Sequence, residues 1–151
     1  MMGREIHLKD LTAMHDRVAE SFNKQAMMKT IGAELADVQE GSVSIRCSFL
    51  DETKQQHGFA HAAVAFAIGD SAAGYSALTM MEPHHEVLTS EMKINLLSPA
   101  IGDYLLATGE VIKAGRKLVI VRANVVAVMD GQKRDVAIMQ GTMVPVGKDQ
   151  D

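Results

Sequence analysis

One acidic side chain lies where the chain otherwise offers apolar and small residues. Asp70 sits near the middle of residues 59–81, FAHAAVAFAIGDSAAGYSALTMM, a stretch apolar on every side. A carboxylate buried without a partner is costly, and desolvation pushes its pKa upward. Two readings stand: a structural acid bonded to Ser71, Tyr75 or a facing backbone, or a general base or nucleophile. A second candidate is the start of the same stretch, residues 55–63, QQHGFAHAA. Free backbone N–H groups at a helix start form a positive pole suited to an oxyanion. Small residues at Ala62 and Ala63 leave room for a ligand carbonyl to approach that backbone. His57 and His61 stand four apart there, although a lone buried His is more often structural than catalytic. His84 and His85 complete the set of possible metal ligands, but no HExxH or Cys/His pattern accompanies them, so no metal is expected.

Helix geometry links the two candidates. Eight residues of helix separate Ala62 from Asp70, about 12 Å at ~1.5 Å per residue. One carbonyl cannot touch both the Ala62 N–H and the Asp70 carboxylate of a single chain. Joint action therefore requires a dimer with antiparallel central helices and two shared sites.

The elements that would position these groups are legible in the hydrophobic pattern. Residues 59–81 read as a buried helix, since a helix apolar all round belongs in a core. A membrane span is the other reading of such a length, and Gly69-Asp70-Ser71 at its centre argues against it. Upstream, residues 10–32 read as an amphipathic helix, with Leu11, Met14, Val18, Phe22 and Ala26 at spacings of three and four. Asp10 is the expected N-cap and Gly32 the stop. Strands are expected at 33–38 and 42–49; in the second, Val43, Ile45, Cys47 and Phe49 share a face. Four longer strands follow at about 86–98, 103–113, 117–129 and 133–145, and Asp130-Gly131 reads as a type I′ hairpin turn. The expected fold is α+β, a long central helix wrapped by an antiparallel sheet, with an N-terminal helix in front. Residues 1–9 read as a loose end, 10–146 as one domain and 147–151 as a polar tail.

Composition narrows the functions. At 151 residues the chain is one domain with a sizeable core. A net charge of −4 argues against binding a phosphate backbone, so no nucleic acid is expected. The single Cys47 fits a reducing compartment, and the start, MMGREIHLKD, has no apolar signal core. A cytoplasmic protein without membrane partners is expected. Gly69-Asp70-Ser71 matches the start of one esterase class, yet no His follows His85 to act as its base. GxSxG, P-loop and GxGxxG motifs are absent from the sequence. Lys113, Arg116 and Lys117 cluster at a hairpin tip, either a solvated turn or a hold for the phosphates of an anionic tail.

The segment QQHGFAHAAVAFAIGDSAAGYSA, with TSEMKINLLSPAIGD and KAGRKLVIVRANV downstream, resembles hotdog-fold acyl-CoA thioesterases of the PaaI-like group over roughly residues 30–146. The resemblance implies a helix wrapped by a sheet, paired into a dimer and commonly into a homotetramer. Family members commonly carry His-Gly-Gly at the helix start and an acid or Asn nine residues after that His. Here His61-Ala62-Ala63 takes the first position and Asp70 the second. By resemblance, the Ala62 N–H polarises the thioester carbonyl, and Asp70 of the facing subunit attacks it or activates water. Gln55 matches a residue that helps place water or the thioester, and Thr89 one that orients water. Asn95, Arg116 and Lys117 lie where the family holds the pantetheine arm and nucleotide phosphates. Two departures stand out: both glycines are Ala, and His57-Gly58 mimics the motif four residues early. Counting from His57 puts Phe66 at the acid position, which fixes the register on His61.

The function so implied is hydrolysis of an acyl-CoA or aryl-CoA thioester to the free acid and CoA, with no cofactor beyond the CoA carried by the substrate. The alternative is a non-catalytic acyl-CoA binding or sensing module, which would keep the pocket and lose the acid. A dehydratase of this fold would need a His about five residues after its Asp, and position 75 is Tyr.

Overall fold

The computed structural model describes residues 8–147. Its central helix, α3 (Ala62–Leu78), lies across one face of a single six-stranded sheet. The strands are β1 (Ala33–Gln39), β2 (Ser42–Ser48), β3 (His85–Leu96), β4 (Tyr104–Ala114), β5 (Val119–Met129) and β6 (Gln132–Gly147). Their order is β1-β2-β4-β5-β6-β3, and every neighbouring pair is antiparallel. The expected α+β layout is thus the observed one, with strand ends shifted by one to two residues in most cases.

Period-two burial explains which face the helix covers. On β2, Val43, Ile45 and Cys47 are buried, and on β5 so are Val119, Val121, Ala123, Val125 and Ala127. The helix sits unusually close to β4. A Cβ on Gly109 would fall 2.2–2.3 Å from backbone atoms of Ala72 and Ala73, so only glycine fits beneath those two alanines. The turn between β5 and β6 has φ of 50° at Asp130 and 76° at Gly131, as the type I′ reading requires.

Three expectations need correction. The first helix already includes Leu8 and Lys9, so Asp10 lies in its first turn rather than capping it. That helix is also not continuous: α1 (Leu8–Lys24) ends where Gln25 turns extended (φ −77°, ψ 99°), and α2 (Ala26–Thr30) resumes after it. The cause is tertiary, since the Gln25 side chain donates from Nε2 to the Tyr75 hydroxyl at 2.6 Å. Third, α3 is not covered all round. Its second half is buried, while Ala62, Ala63 and Phe66 are exposed and Ala67, Asp70 and Ser71 half-buried. These positions recur at three and four residues and form one open stripe on an apolar helix. Of the expected loose ends, residues 1–7 and 148–151 lie outside the described residues, and Gly147 closes β6. No helix among the described residues is long and apolar enough to cross a membrane.

Candidate active site

The start of α3 is held by its preceding loop. Gln55 N–H donates to Phe59 O at 2.8 Å and Gly58 N–H to Gln55 O at 3.0 Å, closing a tight turn in which Gly58 has φ of 84°. His57-Gly58 therefore belongs to the turn, and the positive φ is the reason for its glycine. His61 N–H donates to Thr53 O and Ala60 N–H to Ala100 O, which fastens the last loop residues on both sides. His61 is the N-cap of α3, and its Nδ1 accepts the Ala63 N–H at 2.9 Å. With Nδ1 accepting, a neutral ring carries its proton on Nε2. The Ala62 N–H has no acceptor among the described residues. One backbone donor at the positive pole of a 17-residue helix is thus left for a ligand.

That donor opens into a cleft of about 550 Å³ between the 55–60 loop and residues 96–100, walled by His61, Ala62, Ala65, Leu97 and Pro99. Gln55 stands at its side. Its Oε1 accepts from the His57 and Phe59 N–H groups, so the amide NH₂ is the part of Gln55 left to meet a ligand.

Asp70 lies elsewhere. It lines a separate cavity of about 290 Å³ that shares no lining residue with the cleft. Thr89 on β3 donates from Oγ1 to Asp70 Oδ1 at 2.8 Å, and the same hydroxyl lies 3.4 Å from Met143 Sδ. Burial pushes the Asp70 carboxyl above its ordinary value, and the Thr89 hydrogen bond pulls the other way. A bulge aims Thr89. Thr89 pairs with Met143 and Glu91 with Thr142, leaving Ser90 as an extra residue on β3. Val87 packs on the core before it and Met92 and Ile94 after it, so the bulge switches the inward phase from odd to even positions.

The sequence-derived residues thus fall into three places. His61, Ala62 and Gln55 gather at the cleft, and Asp70 and Thr89 at the second cavity. Asn95 is exposed on β3 opposite Ile138, and Arg116 and Lys117 are exposed at the β4–β5 turn; none of the three lines either cavity. The sequence reading missed Ser21 and Gln25, from α1 and the bend after it, and Glu86 on β3, which share the cavity with Asp70; Tyr75 on α3 it named only as a bonding partner of Asp70, and the phenol meets Ser21 and Gln25 instead. The available signal was Tyr75 itself, a phenol in an otherwise apolar helix, which needs a partner. Among the described residues no group of three or more His, Cys, Asp or Glu is arranged to hold a metal ion.

Comparison with known proteins agrees with this architecture. The sequence profile described as the thioesterase superfamily matches residues 57–132. A thioesterase family protein from Silicibacter pomeroyi, known from its crystal structure, is 36% identical; the match covers 89% of this chain and 98% of that one, with a TM-score of 0.86. The E. coli PaaI protein from the phenylacetic acid degradation operon superposes with a TM-score of 0.80 over 91% of this chain and 96% of its own, at 22% identity, a likeness of fold alone. A Saccharolobus solfataricus protein provisionally named an esterase is 27% identical over 127 residues, 84% of this chain and 82% of its own length.

Proposed function

The chain belongs to the thioesterase superfamily and has its hotdog fold in the PaaI-like form, and from that premise we propose that it hydrolyses an acyl-CoA or aryl-CoA thioester at a site shared between two subunits. The observation that carries this reading is the separation of an Ala62 N–H unpartnered among the described residues and a half-buried Asp70 carboxyl into two cavities of one chain, with the open stripe of α3 running between them. Two chains packed with these stripes antiparallel bring the Ala62 end of one helix to the Asp70 middle of the other.

In the assembled site the thioester oxygen takes the Ala62 N–H, at the positive end of α3, and negative charge developing on that oxygen is stabilised there. His61 occupies the Ala63 N–H, which leaves Ala62 as the donor, and the Gln55 NH₂ holds the thioester or the attacking water in the cleft. Asp70 either attacks the carbonyl carbon or takes a proton from a water that does. The tetrahedral adduct collapses with cleavage of the C–S bond, and CoA leaves as the thiolate and acquires a proton. If Asp70 attacks, water then cleaves the resulting anhydride. Thr89 keeps one carboxylate oxygen fixed by its hydrogen bond and leaves the other for chemistry. Asn95, Arg116 and Lys117 receive the pantetheine arm and nucleotide phosphates across the subunit boundary, where exposed cations suit an anionic tail. The homodimer pairs further into a homotetramer, and the mechanism asks for no cofactor beyond the CoA of the substrate.

The test is release of free thiol from a panel of acyl- and aryl-CoA esters by wild type and Asp70→Asn. Turnover in the wild type that is lost in the variant supports the reading. CoA esters that bind without turnover would make the protein an acyl-CoA sensing module instead.

A further inference from the structure

The Thr89 hydroxyl has one proton and two acceptors. Its Oγ1 lies 2.8 Å from Asp70 Oδ1 and 3.4 Å from Met143 Sδ. A hydroxyl commits its single O–H to one acceptor or divides it between both. Strand register puts the second acceptor in place. Thr89 on β3 and Met143 on β6 stand directly opposite each other, and opposed residues project to the same side of a sheet. The bulge at Ser90 follows at once, so the pairing beyond it passes to Glu91 and Thr142.

Met143 is fully buried and lies under α3. A Cβ at Gly74 would stand 3.8 Å from Met143 Cε and 3.9 Å from its sulfur, an ordinary contact, and one at Gly69 would fall 2.2 Å from Met139 Sδ. Two thioethers of β6 therefore support α3 on either side of Asp70. Leucine would fill much the same volume at position 143. What Met143 adds to packing is a polarizable sulfur that accepts a hydrogen bond weakly. That sulfur stands beside the hydroxyl that holds the Asp70 carboxylate.

The consequence for the carboxylate has a definite direction. A hydrogen bond donated to an ionised carboxylate favours the ionised form and lowers its pKa. An acceptor that draws on the same proton weakens that bond, so the carboxylate stays more basic than one with the hydroxyl to itself. The more basic carboxylate is the stronger general base. The other titratable groups lining this cavity are Tyr75 on α3 and Glu86 on β3, and Glu86 interacts electrostatically with Arg17 of α1. The buried side chains of β4 and β5 are apolar, and β2 adds the Cys47 thiol, which burial pushes up to about 11 and keeps neutral. From β6 the cavity receives Met143.

We infer that Met143 is a positioning residue of the active site, whose sulfur shares the Thr89 hydroxyl with Asp70 and so sets how firmly that carboxylate is held. This rests on the hydrolytic reading for the use made of Asp70. Met143 acts through Thr89 and not on the substrate.

The experiment replaces Met143 by Leu and by Ile, which fill the space and offer no acceptor, each in wild type and in Thr89→Val. Two quantities are followed against pH: kcat/KM on a CoA ester, and the infrared carbonyl band of protonated Asp70, identified by its absence in Asp70→Asn. In the wild-type background both substitutions should move the acid limb and the band midpoint to lower pH by about half a unit, which is about threefold in kcat/KM below the limb. In Thr89→Val neither should move them. Two side chains of different shape keep the comparison informative if one folds poorly. No shift with either, or an equal shift in the Thr89→Val background, would overturn the sharing and leave Met143 as packing alone. No turnover of any ester, with the band moving as described, would sustain the sharing and overturn hydrolysis.

Discussion

Asp70 is pulled in two directions, upward in pKa by burial and downward by the Thr89 hydroxyl. The stability consequence has a definite sign. A carboxyl whose folded pKa is raised favours the fold while protonated, and that contribution is lost as pH rises through the folded pKa. Asp70→Asn, which cannot ionise, should therefore melt higher than wild type at neutral and alkaline pH. The advantage should shrink as pH falls through the raised folded pKa and be gone below the ordinary carboxylate value near ~3.9. Thermal melts across that range check it, and a variant less stable than wild type at pH 8 would mean Asp70 is a structural acid. Turnover of the same variant should drop by roughly 10²–10⁴-fold, the usual contribution of a general base. Thr89→Val removes the one bond that lowers the Asp70 pKa. The acid limb of its kcat/KM profile should move to higher pH, and an unmoved limb would contradict the contact. At this scale the sequence was informative about Asp70 and Ala62, since residue type and helix position carry their chemistry. Thr89 came only through resemblance, as a residue that orients water, and its contact with Asp70 was not expected. Its geometry depends on a bulge at Ser90 that no periodicity announces, and Ser21, Gln25 and Tyr75 meet across some fifty residues of chain.

Two contacts decide where the helices sit. Gly109 lets α3 rest directly on β4, and its replacement by Ala would drive a Cβ into the backbone of Ala72 and Ala73. Because backbone cannot yield as a flexible side chain does, Gly109→Ala should cost about 1–3 kcal/mol or more in chemical denaturation. A neutral result would show that α3 can shift without penalty. Arg17 ties α1 to the far end of α3. Its guanidinium donates to the carbonyls of Leu78, Met81, Glu82 and His85 at 2.6–3.2 Å. These include the last residue of α3 and three of the carbonyls beyond it, where a cation also complements the helix dipole. Arg17→Met keeps most of the stem and loses the bonds, so a destabilisation of about 2–3 kcal/mol is expected. The amphipathic pattern of α1 made this helix visible in the sequence. Its break at Gln25 was not visible, because the extended backbone there is set by a partner on α3 rather than by local preference. The central helix was read as covered on every side for a related reason. Hydrophobicity marks what must leave water, and does not distinguish burial within the chain from burial against a second copy.

At the scale of the whole molecule, the single chain holds two separate cavities, which under the proposed mechanism are the two halves of a shared site. The cleft at Ala62 and the cavity at Asp70 open on the two ends of the same uncovered stripe of α3. The length of helix between them, about 12 Å at ~1.5 Å per residue, was already enough in the sequence to demand a second subunit if both groups act on one carbonyl. What sequence could not supply was the emptiness of the intervening face, which is a property of packing. The most direct test of a shared site uses two variants that each remove one half. Asp70→Asn removes the carboxylate. Ala62→Pro deletes the N–H at the first residue of α3, where proline suits a helix, and His61 before it has φ −59° and ψ 142°, the conformation a residue preceding proline prefers. Each homodimer should be inactive on the preferred CoA ester. Refolded together in equal amounts, half of the dimers would be mixed and one of their two sites intact, so activity should return to about a quarter of wild type. Mixed dimers seen by native mass spectrometry that remain as inactive as their parents would contradict the shared site.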